Sequence, residues 1–297
     1  MKIRTRFNIA LLAVFLPGFI LSALVTHELL IENAKSEVLA DAGLIMETAK
    51  SVRSYTIDEI KPHMNAQLAE EFLPQTVPAF AATEVFERLR ENYPDYSYRE
   101  ATLNPTNPRD KATEWEQYNV VYKFRSREMQ ELQGERVGPD GKQYLYIARP
   151  IKITNAACLA CHDTPKSAPA SLIAKYGDRH GFGWQLNEVV GAQIVTVPSE
   201  LAIGNAQRTV WIVTGLMLGV VVALFLVLNL VLHRVVIKPV QNVSKQSDQV
   251  SLGNLNIPEF ENKGATEIKQ LHASFNRMRR SIEKAMHLLN VDATTRK

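Results

Sequence analysis

Residues 130–152 read QELQGERVGPDGKQYLYIARPIK, and this stretch sets the fold class. Two strand candidates flank Pro139-Asp140-Gly141, a turn signal, so antiparallel strands are expected over 130–137 and 142–152. Downstream, VVGAQIVTVP (189–198) is expected to close the sheet, and upstream YSYREATL (96–103) is strand-like. Helical patterns come before these strands. Over 31–60, Val38, Leu39, Ala42, Ile45, Met46, Ala49 and Val52 form a stripe at three-four spacing, which Pro62 ends or kinks. A second helix is expected over 79–91, and after the proline-rich link NPTNPRD a third starts near Ala112. Helices followed by a small antiparallel sheet with a long loop inserted make an α+β domain.

The composition, 46% apolar and 22% charged over 297 residues, is that of a folding chain, and two stretches are almost free of charge. Ile9–Val25 carries none and follows Lys2, Arg4 and Arg6, the pattern of a signal peptide or an uncleaved first span. A small-residue cleavage site is poor here and the helical register runs on, which favours an uncleaved anchor over 9–30. Val210–Leu232 has twenty-three uncharged residues, about 35 Å of helix, enough to cross a bilayer core of ~30 Å. Arg234 and Lys238 follow it directly and Arg208 alone precedes it, so the positive-inside bias puts both termini in the cytoplasm and 31–208 outside, in a bacterium the periplasm. Three Lys/Arg and no acid lie in 1–8, and eleven Lys/Arg against six acids in 233–297. These basic ends lack a stripe with interleaved aromatics, so nucleic acid is not an expected partner; membrane lipid is.

The two cysteines stand together in Cys158-Leu159-Ala160-Cys161-His162. C-x-x-C-H is the pattern of c-type haem attachment. Thiols three residues apart add to the two vinyl groups of one porphyrin, and the adjoining imidazole falls beneath the iron. Cys158 and Cys161 are therefore expected to carry the covalent bonds and His162 the axial coordination, with one haem c per chain. A thioredoxin-like pair needs a strand-to-helix context, and half a zinc ribbon needs a second cysteine pair that the chain lacks. On the distal side, Met46, His63, Met64 and His180 are candidate ligands, while Arg53 and Tyr55 either face haem propionates or a distal ligand, or are solvated surface.

After the second span, Pro239 marks a helix restart, with Val240, Val243, Ser247 and Val250 at three-four spacing. Ile268, Leu271, Phe275, Met278, Ile282, Ala285 and Leu289 then follow in strict heptad spacing. Two heptad helices joined by a connector with Gly253, Leu255 and Ile257, and Glu267 opening the second, resemble a HAMP linker over 233–290, followed by a tail over 291–297. Such a pair buries its seams in a parallel four-helix bundle, so a homodimer through this coiled coil is expected. The alternative is an amphipathic helix lying on the membrane, which Arg277, Arg279 and Arg280 suit.

The segments SVRSYTIDEIKP, WEQYNVVYKF, YLYIARPI and CLACHDTPKSAPASLIAKYGDRHGFGWQLNEVVGAQIVTVP resemble the periplasmic c-type haem-binding PAS-like sensor family, over about 31–200. Its members precede HAMP, chemoreceptor, kinase or cyclase modules. The resemblance implies a PAS-like haem domain between two transmembrane helices in the bacterial inner membrane, with an all-α cytoplasmic HAMP coiled coil. At least one member uses a distal cysteine, for which no cysteine is free here. The function expected is a membrane-bound sensor of redox state or a small gas that signals through HAMP. No kinase, cyclase or chemoreceptor sequence follows Leu289, so the expected output is a separate cytoplasmic protein such as a kinase or cyclase. The alternative is a membrane-anchored monohaem cytochrome in electron transfer. No catalytic constellation is present, and an enzyme is not expected.

Overall fold

The structure, a computed structural model, describes residues 3–261 and 263–295, with the side chains of 65, 69 and 288–295 left aside. It divides into two units, His27–Thr209 and the remainder, Met1–Thr26 with Val210–Lys297.

In the first unit, α1 (Ile3–Tyr55, shared with the other unit) passes through a π-helical turn at Thr56–Ile60 into α2 (Lys61–His63) and α3 (Asn65–Glu70). The widened turn has a local cause. Pro62 has no N–H and its ring collides with the carbonyl four residues back, so the helix opens until the Lys61 N–H bonds Thr56 instead. The same device recurs at Pro239, where a π-turn at His233–Ile237 is closed by the Lys238 N–H on His233. Helix α4 (Pro78–Leu89) leads to β1 (Ser97–Thr102). A capping box formed by Thr113 and Glu116 starts the broken helix α5 (Glu114–Glu116), a π-turn, and α6 (Tyr122–Ser126). Then come β2 (Leu132–Val137), β3 (Gln143–Lys152), α7 (Leu159–His162), α8 (Ala170–Tyr176) and β4 (Val189–Pro198).

The four strands form one antiparallel sheet in the order β1-β4-β3-β2. Period-two alternation gives each face its own core. On one face the α1 stripe, Val38, Ala42, Met46 and Ala49, packs on Tyr98, Leu145, Ile147, Val195 and Val197, with α4 contributing Ala82 and Phe86. Small residues on the stripe bring the helix close to the sheet, and Ala42, Met46 and Ala49 are fully buried. On the other face Val120, Val121 and Phe124 cover Ala101, Tyr146, Ala148, Ala192 and Ile194, with Trp115 at the edge. The β3–β4 pairing is irregular at Ile151/Lys152, where the long loop 153–188 leaves the sheet. Across that end Gly191 lies so close to β1 that an added Cβ would meet the Ala101 carbonyl oxygen at 2.3 Å.

From the sheet, β4 runs into α9 (Glu200–Leu232). Helices Ile3–His63 and Glu200–Ser251 each contain a stretch long and apolar enough to cross a membrane. In the second unit, α10 (Lys238–Ser251) and α11 (Thr266–Thr295) flank a connector. The expected heptad seam divides. Ile268 and Phe275 are buried within the chain, Phe275 in a cluster with Val243, Val250 and Ile257, whereas Leu271, Met278 and Ile282 stay exposed. The connector draws one edge of α11 to itself. Asn276 bonds the Phe260 backbone twice, at 3.1 and 3.0 Å, and Arg279 bonds the carbonyls of Leu255 and Ile257. The side chain of Leu289, the last expected seam position, and residues 296–297 of the expected tail lie outside the described residues.

Candidate haem site

The pentapeptide lies just inside the β3–β4 loop, whose two ends are pinned together by the Ile153 N–H on the Glu188 carbonyl and the Asn187 N–H on the Ile153 carbonyl, at 2.9 and 2.7 Å. Asn155 caps a 3-10 turn, Ala156–Cys158, by accepting from the Ala157 N–H at 2.9 Å, and α7 continues from it through Cys161 and His162. One helical turn thus carries both cysteines at i and i+3, the spacing that puts two side chains on one face. Both thiols are free and half-buried. Burial pushes the Cys161 thiol above its ordinary pKa, against the pull of the Lys61 charge.

His162 is held from two sides. Its ring stacks on Trp184 at 3.8 Å between centroids and 9° between planes. Its Nδ1 lies 2.7 Å from the Gly181 carbonyl oxygen. A carbonyl only accepts, so Nδ1 carries the proton, and the neutral ring keeps its lone pair on Nε2. Burial lowers the pKa of His162 and so favours that neutral form. Orientation by one nitrogen with the other left free is how an imidazole is presented to a metal.

The acceptor itself is fixed. Asn104 donates to the Phe182 carbonyl at 3.2 Å and accepts from the Gly181 N–H at 3.3 Å. Gly181 has φ +87°, and an added Cβ would meet Thr106 Oγ1 at 1.9 Å. Two further bonds, Gly183 N–H to Asp163 and Trp184 N–H to His162, lay the segment GFGW along α7 at 2.8 and 3.2 Å. Asn104 carries no motif that singles it out in the sequence. A turn-forming Asn in a proline-rich link was its only signal.

With two free thiols on one turn and an imidazole aimed by its far nitrogen, the donor set fits a covalently held haem. Among the described residues there is no cluster of three or more His, Cys, Asp or Glu that would hold a metal ion by protein ligands alone.

A family model described as Tll0287-like (Tll0287) matches residues 31–198, more than half of the chain. The chain belongs to the Tll0287-like family. A HAMP domain model matches residues 231–284, so the Tll0287-like domain is followed by a signal-transduction module. Among solved structures, the cyanobacterial heme-protein Tll0287 is similar at 19% identity, covering 55% of this chain and 95% of that one, with a TM-score of 0.42. No curated protein matches the chain.

Within the Tll0287-like domain the distal candidates are dispersed. Met46 is fully buried in the aliphatic core between α1 and the sheet. Arg53 turns to the sheet, where it pairs with Glu100, and Tyr55 two residues on is 60% exposed, so the two lie in different surroundings. His63 and His180 are exposed and Met64 is half-buried. The chain just after α3 approaches the haem loop through Phe72, whose ring meets Tyr176 of α8 edge-on at 5.8 Å.

Proposed function

We propose that this protein is a membrane-bound haem sensor whose periplasmic domain carries one c-type haem and signals through HAMP to a separate cytoplasmic output protein such as a kinase or cyclase. Cys158 and Cys161 would hold the haem and His162 would ligate its iron. The observation that carries this reading is the pose of His162, stacked on Trp184 with Nδ1 on the Gly181 carbonyl and Nε2 free. The Tll0287-like and HAMP matches support it from two sides. Haem, when held there, would supply an iron whose oxidation state or ligation responds to redox poise or to a small gas. The chain's own residues do the rest. Trp184 and Gly181 fix the imidazole, so a change at Nε2 is borne by the segment 181–184 and, through Asn104, by the link after β1. The run of α1 from the first apolar stretch into the domain and the direct run of β4 into α9 give the domain two helical outlets.

The apolar helices and basic flanks support an inner-membrane protein of two spans with both termini cytoplasmic. Leu271, Met278 and Ile282, exposed in the single chain, supply the seam of a homodimeric bundle. The HAMP domain favours sensing over electron transfer, because an electron carrier has no use for a signalling bundle.

Single cysteines at Leu271 or Met278 test the reading in membranes treated with oxidant, reductant, carbon monoxide or nitric oxide. Cross-linking between chains should change with haem state and lose that dependence in His162→Ala. Equal cross-linking in every state overturns the sensor and leaves the monohaem cytochrome.

A further inference from the structure

The sheet face opposite α1 is covered only in part. Val120, Val121 and Phe124 pack on its half nearest the haem loop. Over the other half a cavity of about 430 Å³ opens on Ser97, Arg99, Arg136, Tyr144, Ile194 and Thr196, drawing residues from all four strands. It is remote from the pentapeptide. The haem loop returns to the sheet at Val189, and Thr196 lies seven residues along the same strand, about 23 Å at ~3.3 Å per residue.

The charges around this cavity are equal in number but are not all paired. Arg99 meets Glu116 at 2.9 Å and Arg90 meets Glu87 at 3.1 Å. Of the other lining carboxylates, Asp95 is held by Lys142 at 3.1 Å, and Asp140 accepts from the Tyr144 hydroxyl at 2.8 Å with Lys142 4.0 Å away. Arg136 is left over. Among the described residues no carboxylate pairs with it, and its Nε is shielded from solvent without a hydrogen-bond partner. What positions it is Trp115, over whose ring its guanidinium carbon sits at 4.2 Å. A guanidinium stacked on an indole keeps its edge free for a planar acceptor.

We propose that this cavity binds a small organic monocarboxylate, with the carboxylate on the Arg136 guanidinium and the hydrophobic remainder against Ile194 and the Tyr144 ring. Several features select this class. Arg136 is the one lining arginine without an ion-pair partner among the described residues, matching a single carboxylate, while Glu116, Asp95 and Asp140 oppose a dianion such as phosphate. The guanidinium fork matches a carboxylate in shape. Ser97 and Thr196 add hydroxyls, and the volume lies within the range of small-molecule sites. The site stands at the end of β4 that enters α9, four residues from Thr196 to Glu200, so it forms an input to the same helix that does not depend on the haem reading.

The test is calorimetric titration and thermal melting of the purified full chain in detergent, at constant ionic strength, with acetate, propionate, lactate and benzoate. Acetamide is the neutral control and inorganic phosphate the dianionic one. At least one carboxylate should bind saturably and raise the melting temperature, acetamide should do neither, and phosphate should bind about tenfold more weakly or worse. Arg136→Gln should weaken carboxylate binding by about tenfold or more. Should that variant fail to fold by circular dichroism, Arg136→Lys carries the test: it keeps the charge and loses the fork, so affinity should fall severalfold and remain measurable. The proposal is overturned if none of the four carboxylates binds, if phosphate binds as well as they do, or if a folded Arg136 variant binds unchanged.

Discussion

Arg53 on α1 forms an ion pair with Glu100 on β1, across the boundary between the long helix and the sheet. Glu100 is only 4% exposed and also accepts from the Tyr98 hydroxyl at 2.6 Å, which itself accepts from Gln193 of β4 at 3.0 Å. One carboxylate thus links α1, β1 and β4. Burial works against the Arg53 charge, but Glu100 beside it holds its pKa above the ordinary value. Removing the cation leaves a buried carboxylate uncompensated, which costs about 3–5 kcal/mol. Arg53→Ala is expected to lower thermal stability by that order, and Arg53→Ala/Glu100→Gln to recover part of the loss. A single variant melting like the wild type would show that the pair contributes nothing.

Gly181 sets the acceptor for His162. A side chain there strains a left-handed backbone by about 1–2 kcal/mol and drives into Thr106 as well. Gly181→Ala should lose stability by at least that amount and disturb the ring orientation of His162, seen as an altered imidazole environment in NMR. Thr106→Ala should rescue it only partly, since the Thr106 Cα also stands 2.8 Å from the added Cβ. Full rescue would place the obstacle in the hydroxyl alone.

Much of this was legible in the sequence, and the reasons differ by element. The strand 189–198 stands as expected because an apolar run bounded by a loop and a proline leaves little choice of register. The α1 stripe, Val38 to Val52, is likewise the buried face, since a 3.6-residue period survives any tertiary context that covers it. Arg53 was harder to read. From sequence it is a cation on a helix, and only the pairing of β1 with β4 brings Glu100 beneath it. The stacking of Trp184 on His162 and the clamp of Asn104 on Gly181 depend on contacts between residues 22 and 77 positions apart, which no local pattern encodes. The heptad seam was read correctly as apolar spacing, yet spacing does not say which partner each residue takes. Ile268 and Phe275 are buried within their own chain.

That division of the seam gives a cross-linking pattern. Cysteines at Leu271 and Met278, exposed in the single chain, should form disulfides between chains readily under mild oxidation. Cysteines at Ile268 and Phe275, buried in the single chain, should not. Equal cross-linking at all four positions, measured on non-reducing gels of membranes, would mean that the connector does not hold α11 in this way.

Asp110 gives a pH dependence. Burial pushes its carboxyl up to about 6, with Arg109 pulling the other way. The folded state therefore holds the proton more tightly than the unfolded chain, whose carboxyl titrates near 3.9. This group's favourable contribution is present below about pH 4 and is lost as pH rises through about 6, a fall of roughly 3 kcal/mol. Melting curves between pH 4 and 7 should show a steeper decline in the wild type than in Asp110→Asn. Parallel curves would contradict the burial assigned to this side chain.

The central claim is a haem bonded to Cys158 and Cys161 and ligated by His162. It is tested most directly by the intact mass of the denatured chain after acid-acetone extraction, compared between the wild type and Cys158→Ala/Cys161→Ala. The account predicts that the wild type retains the mass of one haem per chain and the double variant retains none. A wild-type chain whose mass equals that of its polypeptide alone would contradict it.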